Sequence, residues 1–271
     1  MPRREPLTSR TSPQVTAVRA LHTAPGRAEA GLFVVEGPQG VREAIGSGAR
    51  IDTVFVTPEA AGRWADLVDA ARDQDAAVLG AVGTVIDAMA ETATPQGILA
   101  ICEIPQATMD DILAASGPVV LLDRVSDPGN AGTIIRTADA VGAAGVVITA
   151  GGVDAYNGKC VRATAGSIFH LPVVAGLDAA AAVAAMRAEG ITVVVATGDA
   201  QADLLDWAPR ARGRLCWAFG SEAHGVGAEL RGSADATVRI PMPGRAESLN
   251  VASAAAVCLY ADLARSHGRI G

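Results

Sequence analysis

The stretch DPGNAGTIIRTADAVGA, residues 127–143, places an asparagine, several glycines and an arginine at the start of a helical pattern. Its glycines lack the G-x-G-x-x-G spacing of a dinucleotide-binding loop and the G-K-[ST] ending of a P-loop. Ile134 and Val141 belong to the apolar stripe of this pattern. Arg136 points away from that stripe, beside Asp139. Arg136 is therefore either a solvated side chain paired with Asp139 or a guanidinium that binds a phosphate or carboxylate, and the spacing alone leaves both interpretations open.

Two further loops, FGSEAHG (219–225) and IPMPGRAESLN (240–250), each follow an apolar, strand-like run. The first carries one acid, Glu222, in a glycine-rich bend. The second passes through a Pro/Gly segment to Ser248, a residue type that favours a helix N-cap, and so predicts a final helix from about that residue. Taken singly, Glu222 is better explained as a surface acid and Ser248 as a plain helix cap than as functional residues.

The alternation of continuous apolar runs with helical patterns predicts an α/β fold with a doubly wound, mostly parallel sheet. Ligands of such sheets bind beyond the carboxyl ends of the strands, so the three loops are expected around one cleft. Pro105 and the short polar segment after it indicate a domain boundary. We expect a disordered tail at residues 1–12, a smaller domain at 13–107 and the doubly wound domain at 108–271.

Composition excludes several classes of protein. The 271 residues are 50% hydrophobic, enough for a sizeable core, and the net charge of −7 argues against a protein that coats nucleic acid non-specifically. Seven arginines and four glutamates make residues 1–50 locally basic. The four scattered cysteines include no CxxC pair, which favours reduced thiols in a cytoplasmic protein without a metal site. No signal peptide or membrane-spanning run is expected.

These three loops, in this order, resemble the motifs of the SpoU/TrmH family of RNA 2′-O-ribose methyltransferases, part of the SPOUT superfamily. The first motif carries Asn130 and Arg136, and the second carries Gly220 and Glu222. The third motif covers residues 240–250. The segment KCVRATAGSIFHLPV (159–173) also resembles the family's sequence between the first two motifs. Residues 12–57 resemble, more loosely, the family's N-terminal substrate-binding domain, a small α/β unit similar to a ribosomal protein.

The resemblance implies an enzyme that binds S-adenosylmethionine, methylates a ribose 2′-hydroxyl in RNA and works as a homodimer, with a deep trefoil knot near its C-terminus. General topological rules instead predict an unknotted doubly wound sheet, because true knots are nearly absent from proteins. The resemblance implies that the cofactor is bound by Thr197, Gly198, Gly220, Ile240, Met242 and Leu249. The implied catalytic residues are Arg136, Asn130, Glu222, Ser248 and Asn250. No metal is implied.

The implied RNA contacts are four arginines, Arg10, Arg19, Arg27 and Arg162. The additional N-terminal domain favours ribosomal RNA over transfer RNA, and the layout is similar to that of thiostrepton-resistance methylases. Two alternatives within the fold are a tRNA 2′-O-methyltransferase and a non-catalytic RNA-binding or ribosome-assembly protein. A nicotinamide dehydrogenase is disfavoured because the glycine fingerprint is absent.

Overall fold

The computed structural model of the protein describes residues 5–221 and 223–268. The chain divides into two compact units, the first made of Met1–Gln106 with Tyr156–His170 and the second of Ala107–Ala155 with Leu171–Gly271. Within the described residues, no helix combines the length and hydrophobicity that a bilayer crossing needs. Each unit has its own sheet, and buried apolar residues form two clusters in the first unit and a separate cluster in the second.

The first unit is built on a four-stranded sheet in the order β1-β4-β2-β3. Its strands are β1 (Leu32–Glu36), β2 (Ile51–Val56), β3 (Ala77–Gly80) and β4 (Ile98–Glu103). β4 runs antiparallel to both β1 and β2, whereas β3 lies parallel to β2. The helices are α1 (Pro13–Ala20), α2 (Ala24–Ala30), α3 (Gly37–Gly46), α4 (Pro58–Arg63), α5 (Ala65–Asp73), α6 (Gly83–Met89) and α9 (Gly158–Thr164).

Local sequence explains where several of these helices begin. Ser12, Thr23 and Thr57 each accept a backbone N–H with the side-chain oxygen at the N-cap position, and each is followed by a proline in the first turn. A side-chain acceptor satisfies one of the free N–H groups of the first turn. Proline fits there because its missing N–H has no helical partner to lose.

The expected disordered tail at residues 1–12 is wrong for its second half. The Leu7 amide donates to the Gly80 carbonyl at 2.8 Å, and the Val82 amide donates to the Leu7 carbonyl at 3.0 Å. Ser12 caps α1. Backbone pairing with the end of β3 therefore orders a polar segment that has no pattern of its own. Residues 1–4 lie outside the described residues.

The expected continuous domain at 108–271 is interrupted, because Tyr156–His170 belongs to the first unit. Phe33 of β1 lies with its ring centroid 4.9 Å from that of Tyr156 and 5.8 Å from that of Phe169. Val161 is also part of the buried cluster of the first unit. Two aromatic side chains therefore anchor a segment that sequence proximity assigns to the other unit.

The second unit contains a seven-stranded sheet in the order β7-β6-β5-β10-β8-β11-β9, and every pairing described in it is parallel. Its strands are β5 (Val119–Asp123), β6 (Gly145–Thr149), β7 (Val173–Leu177), β8 (Thr192–Ala196), β9 (Ala202–Asp203), β10 (Leu215–Gly220) and β11 (Ala236–Arg239). Its helices are α7 (Met109–Ala114), α8 (Pro128–Ala140), α10 (Ala179–Ala188), α11 (Leu204–Trp207), α12 (Ala228–Ser233) and α13 (Val251–Ser266).

The predicted α/β class and mostly parallel sheet are confirmed. All residues of β5 and β6 are buried, as expected for strands with both faces covered. Asp123 at the end of β5 lies opposite Gly220 at the end of β10. The neighbouring β8 and β11 end beside them in the same direction. The loops after these four strands consequently emerge at one edge of the sheet.

Two helix starts differ from the sequence prediction. The sequence predicts that the first of these helices begins after Gly132, whereas α8 begins at Pro128 and is capped by Asp127. α13 begins at Val251 with Asn250 as its N-cap, whereas Ser248 was the expected cap. Serine and asparagine are both good caps, and the path of the preceding loop decides between them.

Candidate cofactor and active site

A cavity of about 440 Å³ lies at the carboxyl edge of the second unit's sheet. The loops after β8, β10 and β11 and the start of α13 form its wall. It is lined by Ala196, Thr197, Gly198, Phe219, Gly220, Ser221, Gly225, Ile240, Met242, Glu247, Ser248, Leu249, Asn250, Val251 and Ala254. All six residues expected to bind a cofactor are in this set, together with Ser248 and Asn250. Its size is that of an ordinary small-molecule site.

Gly220 allows the loop after β10 to fold back against the strand end. A Cβ atom added at this position would overlap the backbone of Gly225 and Val226. The Gly225 amide donates to the Ser221 carbonyl at 2.8 Å, which closes the bend. Gly225 itself has φ +64°, a conformation that side chains disfavour. The cavity wall is therefore close-packed backbone at this point, with its polar groups available to a ligand.

Two ion-paired side chains hold the loop after β8. The Thr197 hydroxyl donates to Asp199 at 2.6 Å, and Arg231 of α12 donates to the same carboxylate at 2.7 Å. The hydrogen bond from Arg231, followed by that from Thr197, lowers the pKa of Asp199 below its ordinary value. Sequence analysis missed this pair because its two members are 32 positions apart.

Asn250 joins the third motif to the first. Its side-chain oxygen accepts the amide of Ala252 at 2.9 Å, and its side-chain nitrogen donates to the Asn130 side-chain oxygen at 3.0 Å. The backbone amide of Asn130 in turn donates to Asp127, the N-cap of α8. The starts of α8 and α13 are thereby fixed to each other at the rim of the cavity.

Arg136 is exposed on α8 and does not line the cavity. Six residues separate it from Asn130, about 9 Å along a helix axis. Within residues 5–221 and 223–268 it makes no hydrogen bond or ion pair, and the predicted alternative of an ion pair with Asp139 is not observed. The structure thus brings Asn130, Ser248 and Asn250 together and leaves Arg136 outside the cavity of its own chain.

Glu222, the expected acid of the second motif, lies outside the described residues. An acid that sequence analysis did not single out, Asp123, is buried where β5 ends. Its carboxylate accepts the Gly227 amide at 2.7 Å and the Thr149 hydroxyl at 3.1 Å. A charged residue ending an apolar strand, as in LLDR, is the sequence signal that could have identified it.

The four arginines expected to contact RNA have different environments in the first unit. Arg10 and Arg19 are exposed and line one shallow depression with His22. Arg27 is only 3% exposed and donates to the Leu21 carbonyl at 2.7 Å, so the expectation that it contacts RNA is wrong for this conformation. Its aliphatic stem and guanidinium are used inside the unit, a choice that local sequence does not reveal.

Arg162 was expected in the doubly wound domain but lies in the first unit. Its guanidinium donates to Glu36 at 2.7 Å and to Glu91 at 3.2 Å. Glu36 also accepts the backbone amides of Glu91 and Thr92, each at 3.1 Å. Arg162 therefore braces the loop that follows α6, which accounts for its position without RNA.

All four cysteine side chains are buried. None of Cys102, Cys160, Cys216 and Cys258 forms a disulfide. Burial raises the pKa of Cys102 and of Cys258 to about 12 and also raises that of Cys216. Across residues 5–221 and 223–268, no group of three or more His, Cys, Asp or Glu side chains could hold a metal ion.

The sequence matches two protein families, one in each part of the chain. The SpoU rRNA Methylase family matches residues 117–260, and the MRM3-like substrate binding domain matches residues 12–100. Among curated proteins, the chain is 36% identical over 246 residues to the 23S rRNA (guanosine(2553)-2′-O)-methyltransferase RlmP of Bacillus subtilis, covering 89% of this chain and 92% of that protein.

Similar relatives include the 23S rRNA (uridine(2479)-2′-O)-methyltransferase of Streptomyces viridochromogenes, 33% identical over 86% of this chain and 83% of that protein. Among solved structures, an AdoMet-bound rRNA methyltransferase from Sinorhizobium meliloti superposes with a TM-score of 0.86 at 32% identity. That match covers 97% of this chain and 98% of the other. The matched family extends over more than half of the chain and includes all three motif loops. The chain belongs to the SpoU rRNA methylase family.

Proposed function

We propose that this protein transfers a methyl group from S-adenosylmethionine to a ribose 2′-hydroxyl in structured ribosomal RNA. One observation carries the proposal. The cavity at the sheet edge is lined by all six expected cofactor residues, in a chain that belongs to a family of rRNA methylases. Relatives covering most of the chain are named as 23S rRNA 2′-O-methyltransferases, which favours ribosomal over transfer RNA as the substrate.

The cavity residues fit an adenosine-containing cofactor. Backbone groups of the loops after β8 and β10 supply amide donors and carbonyl acceptors, and Ile240 and Leu249 supply apolar walls. Gly220 is required because a side chain there would displace the neighbouring backbone. When bound, S-adenosylmethionine supplies an activated methyl group. The chain's own residues hold the 2′-oxygen in line with that group and assist the loss of its proton.

Arg136 acts as a clamp on an RNA phosphate and stabilises negative charge that develops on the 2′-oxygen. A guanidinium is the most basic side-chain group in proteins, so its deprotonation at neutral pH costs about 7–9 kcal/mol. That cost would consume a large part of the barrier reduction available to an enzyme. The 2′-proton therefore leaves in concert with methyl transfer or through a water molecule. Asn130, Glu222, Ser248 and Asn250 position the ribose, the arginine or the methionine end of the cofactor.

Arg136 reaches its target in a homodimer, in the cavity of the partner chain. Two observations support this arrangement. Arg136 is exposed and outside the cavity of its own chain. α8, which carries it, packs against α13, and α13 exposes the apolar side chains of Val257 (39%) and Tyr260 (52%). Exposed apolar side chains on one helix face are typical of a surface that another chain covers.

The first unit recognises the RNA, with Arg10 and Arg19 as its phosphate contacts. Both side chains are exposed and share one depression, and the unit matches a substrate-binding family over residues 12–100. In this proposal the first unit, which includes Tyr156–His170, binds the RNA, and the second unit carries out catalysis. We also propose the trefoil knot of the family for the C-terminal region and a cytoplasmic location for the protein.

The direct test is transfer of a radiolabelled methyl group from S-adenosylmethionine to 23S rRNA, followed by alkaline hydrolysis. A methylated 2′-oxygen cannot attack the adjacent phosphate, so the label is expected in an alkali-resistant dinucleotide. Label in mononucleotides only, or no transfer by protein that binds the cofactor, would refute the proposal. Transfer to tRNA but not to rRNA would correct the substrate alone.

A further inference from the structure

Arg124, the residue directly after β5, has a strained backbone. Its φ of 52° lies in the left-handed region, which non-glycine residues rarely adopt. Asp75 and Ala165 are the other two such residues in the described part of the chain. A strained residue persists only where its surroundings enforce the conformation, and such residues concentrate at functional sites. Arg124 is the one of the three at the carboxyl edge of the seven-stranded sheet.

The surroundings that enforce this conformation are three hydrogen bonds between strand ends. The Arg124 amide donates to the Thr149 hydroxyl oxygen at 3.0 Å, and the Thr149 hydroxyl donates to Asp123 at 3.1 Å. The other oxygen of Asp123 accepts the Gly227 amide at 2.7 Å. Asp123 and Thr149 are both buried. The end of β5 is thereby tied to the end of β6 and to the loop after β10.

The guanidinium of Arg124 rests on this buried carboxylate. Its Nε lies 3.4 Å from one oxygen of Asp123, and its Nη2 lies 3.5 Å from the other. The absence of a side chain at Gly227 leaves room for the guanidinium, because a Cβ atom added there would overlap Nη2 of Arg124. The Arg124 side chain nevertheless stays 54% exposed, while that of Asp123 is 5% exposed. The Arg124 guanidinium is thus held by Asp123 on one side and open to solvent on the other.

Such a fixed, half-exposed guanidinium is suited to a phosphate. Arginine carries five N–H donors, and Asp123 takes up only those on the side facing the sheet. In residues 5–221 and 223–268, the remaining donors have no hydrogen-bond partner. The planar fork of such donors matches two oxygens of a phosphodiester. A buried carboxylate behind it keeps the fork oriented, so little side-chain freedom remains to be lost on binding.

We propose that Arg124 binds a phosphate of the RNA substrate beside the cofactor cavity. Its neighbour Asp123 lies opposite Gly220 in the β5–β10 register, and Gly220 lines the cavity. A phosphate on Arg124 would therefore hold the RNA chain close to the cavity, at a point separate from Arg136. This inference rests on the proposed function, because it assumes that the ligand is RNA.

The test measures binding of a 23S rRNA transcript to the full-length protein as a function of salt concentration. Arg124→Gly suits the left-handed backbone, and Arg124→Asn is a second neutral variant that tolerates it. Both are expected to bind the transcript about 10-fold more weakly. The slope of log K against log salt should fall by about 0.7–0.9, the value for one lost phosphate contact. Arg124→Lys should keep the wild-type slope because it keeps the charge.

Two controls separate a phosphate contact from a structural role. Arg187→Ala removes an arginine of similar exposure that is ion-paired with Asp235 at the opposite edge of the sheet, and it should change neither affinity nor slope. S-adenosylmethionine affinity should stay within about 2-fold in every variant. An unchanged slope in both neutral variants would overturn the inference while methyl transfer by the wild type still supports the proposed function. Absence of methyl transfer by the wild type would instead overturn the proposed function.

Discussion

The side-chain nitrogen of Asn250 donates a 3.0 Å hydrogen bond to the side-chain oxygen of Asn130, which lies 120 positions earlier in the sequence. Asn250 also caps α13 through its side-chain oxygen. One residue therefore starts the last helix, lines the cavity and fixes the position of α8. This bond joins the first and third sequence motifs of the family in the folded protein.

We expect this bond to contribute to stability and to cofactor binding together. Asn250→Ala should lower the free energy of unfolding by about 1–2 kcal/mol because the helix loses its N-cap. A double-mutant cycle with Asn130→Ala should give a coupling of about 0.5–1.5 kcal/mol in urea unfolding. Asn157→Ala, which removes the N-cap of α9 in the first unit, is the matched control. Asn157→Ala should lower the free energy of unfolding by a similar amount but leave the affinity for S-adenosylmethionine unchanged, whereas Asn250→Ala should weaken that affinity. Equal losses of affinity in the two variants would contradict a role of the Asn250–Asn130 bond in cofactor binding.

Arg136→Ala is expected to abolish methyl transfer without weakening the binding of S-adenosylmethionine. The loss of a cation near the developing alkoxide should lower the rate at least about 100-fold. Calorimetry should find the dissociation constant for S-adenosylmethionine within about 3-fold of wild type, because the proposed contacts of Arg136 are with the RNA and not with the cofactor. Unchanged turnover would refute the role given to this residue.

Mixed dimers test whether Arg136 serves the partner chain. One chain carries Arg136→Ala, and the other carries Gly220→Val, which fills the cofactor loop. If the arginine acts across the dimer, the first chain's cavity receives Arg136 from the second, and mixing two inactive proteins restores transfer. If it acts within its own chain, the mixture stays as inactive as its components. Measurement of methyl incorporation after refolding of the mixture distinguishes the two.

Gly220→Ala should impair cofactor binding through backbone displacement. The added Cβ would overlap the backbone of Gly225 and Val226, so the loop at the cavity must move. We expect at least about 10-fold weaker binding of S-adenosylmethionine, consistent with a cost of more than 1.4 kcal/mol. The control is Gly232→Ala in α12, where a Cβ meets nothing within 4 Å and helix propensity favours alanine by about 0.5–1 kcal/mol. That variant should be slightly more stable and bind normally.

The buried thiols predict a loss of stability at alkaline pH. The pKa of Cys102 and Cys258 is about 12 in the folded protein against 9.0 for a free thiol, so above pH 9 the unfolded chain releases protons that the folded chain retains. The contribution of each buried thiol to the free energy of unfolding is fully present below pH 9. Above pH 9 each cysteine loses about 1.4 kcal/mol of this contribution for every pH unit. Urea unfolding at pH 8 and 10 measures this loss. In Cys102→Ala, the difference between the free energies of unfolding at pH 8 and pH 10 should be smaller by about 1.4 kcal/mol. An unchanged difference would contradict the raised pKa of this thiol.

Arg162→Ala should destabilise the protein rather than weaken RNA binding. Removal of the Arg162 side chain leaves Glu36, whose side chain is 9% exposed, without its cation. Because this ion pair is partly buried, its loss should lower the free energy of unfolding by about 1–2 kcal/mol. The salt dependence of RNA binding should not change. Arg42→Ala, which breaks the exposed pair with Asp66, should destabilise the protein less than Arg162→Ala does. A reduced salt slope for Arg162→Ala would restore the expectation of an RNA contact.

The amino-acid sequence by itself determined the fold class, most of the strands and the three loops that meet at the sheet edge. These features depend on local information. A short run rich in β-branched residues, such as VVLLD, favours a strand with both faces buried, and parallel strands place their ends at one edge. For the same reason the six residues expected to bind the cofactor all line one cavity.

The tertiary structure alone decided what individual arginines do. Arg27 is buried, Arg162 is paired with two glutamates, Arg124 rests on a buried aspartate, and Arg136 remains outside the cavity of its own chain. Each outcome depends on which distant backbone or carboxylate lies within reach of a long, flexible side chain. Sequence spacing carries no such information, because hydrogen bonds and ion pairs act over a few ångströms in space and join residues many positions apart.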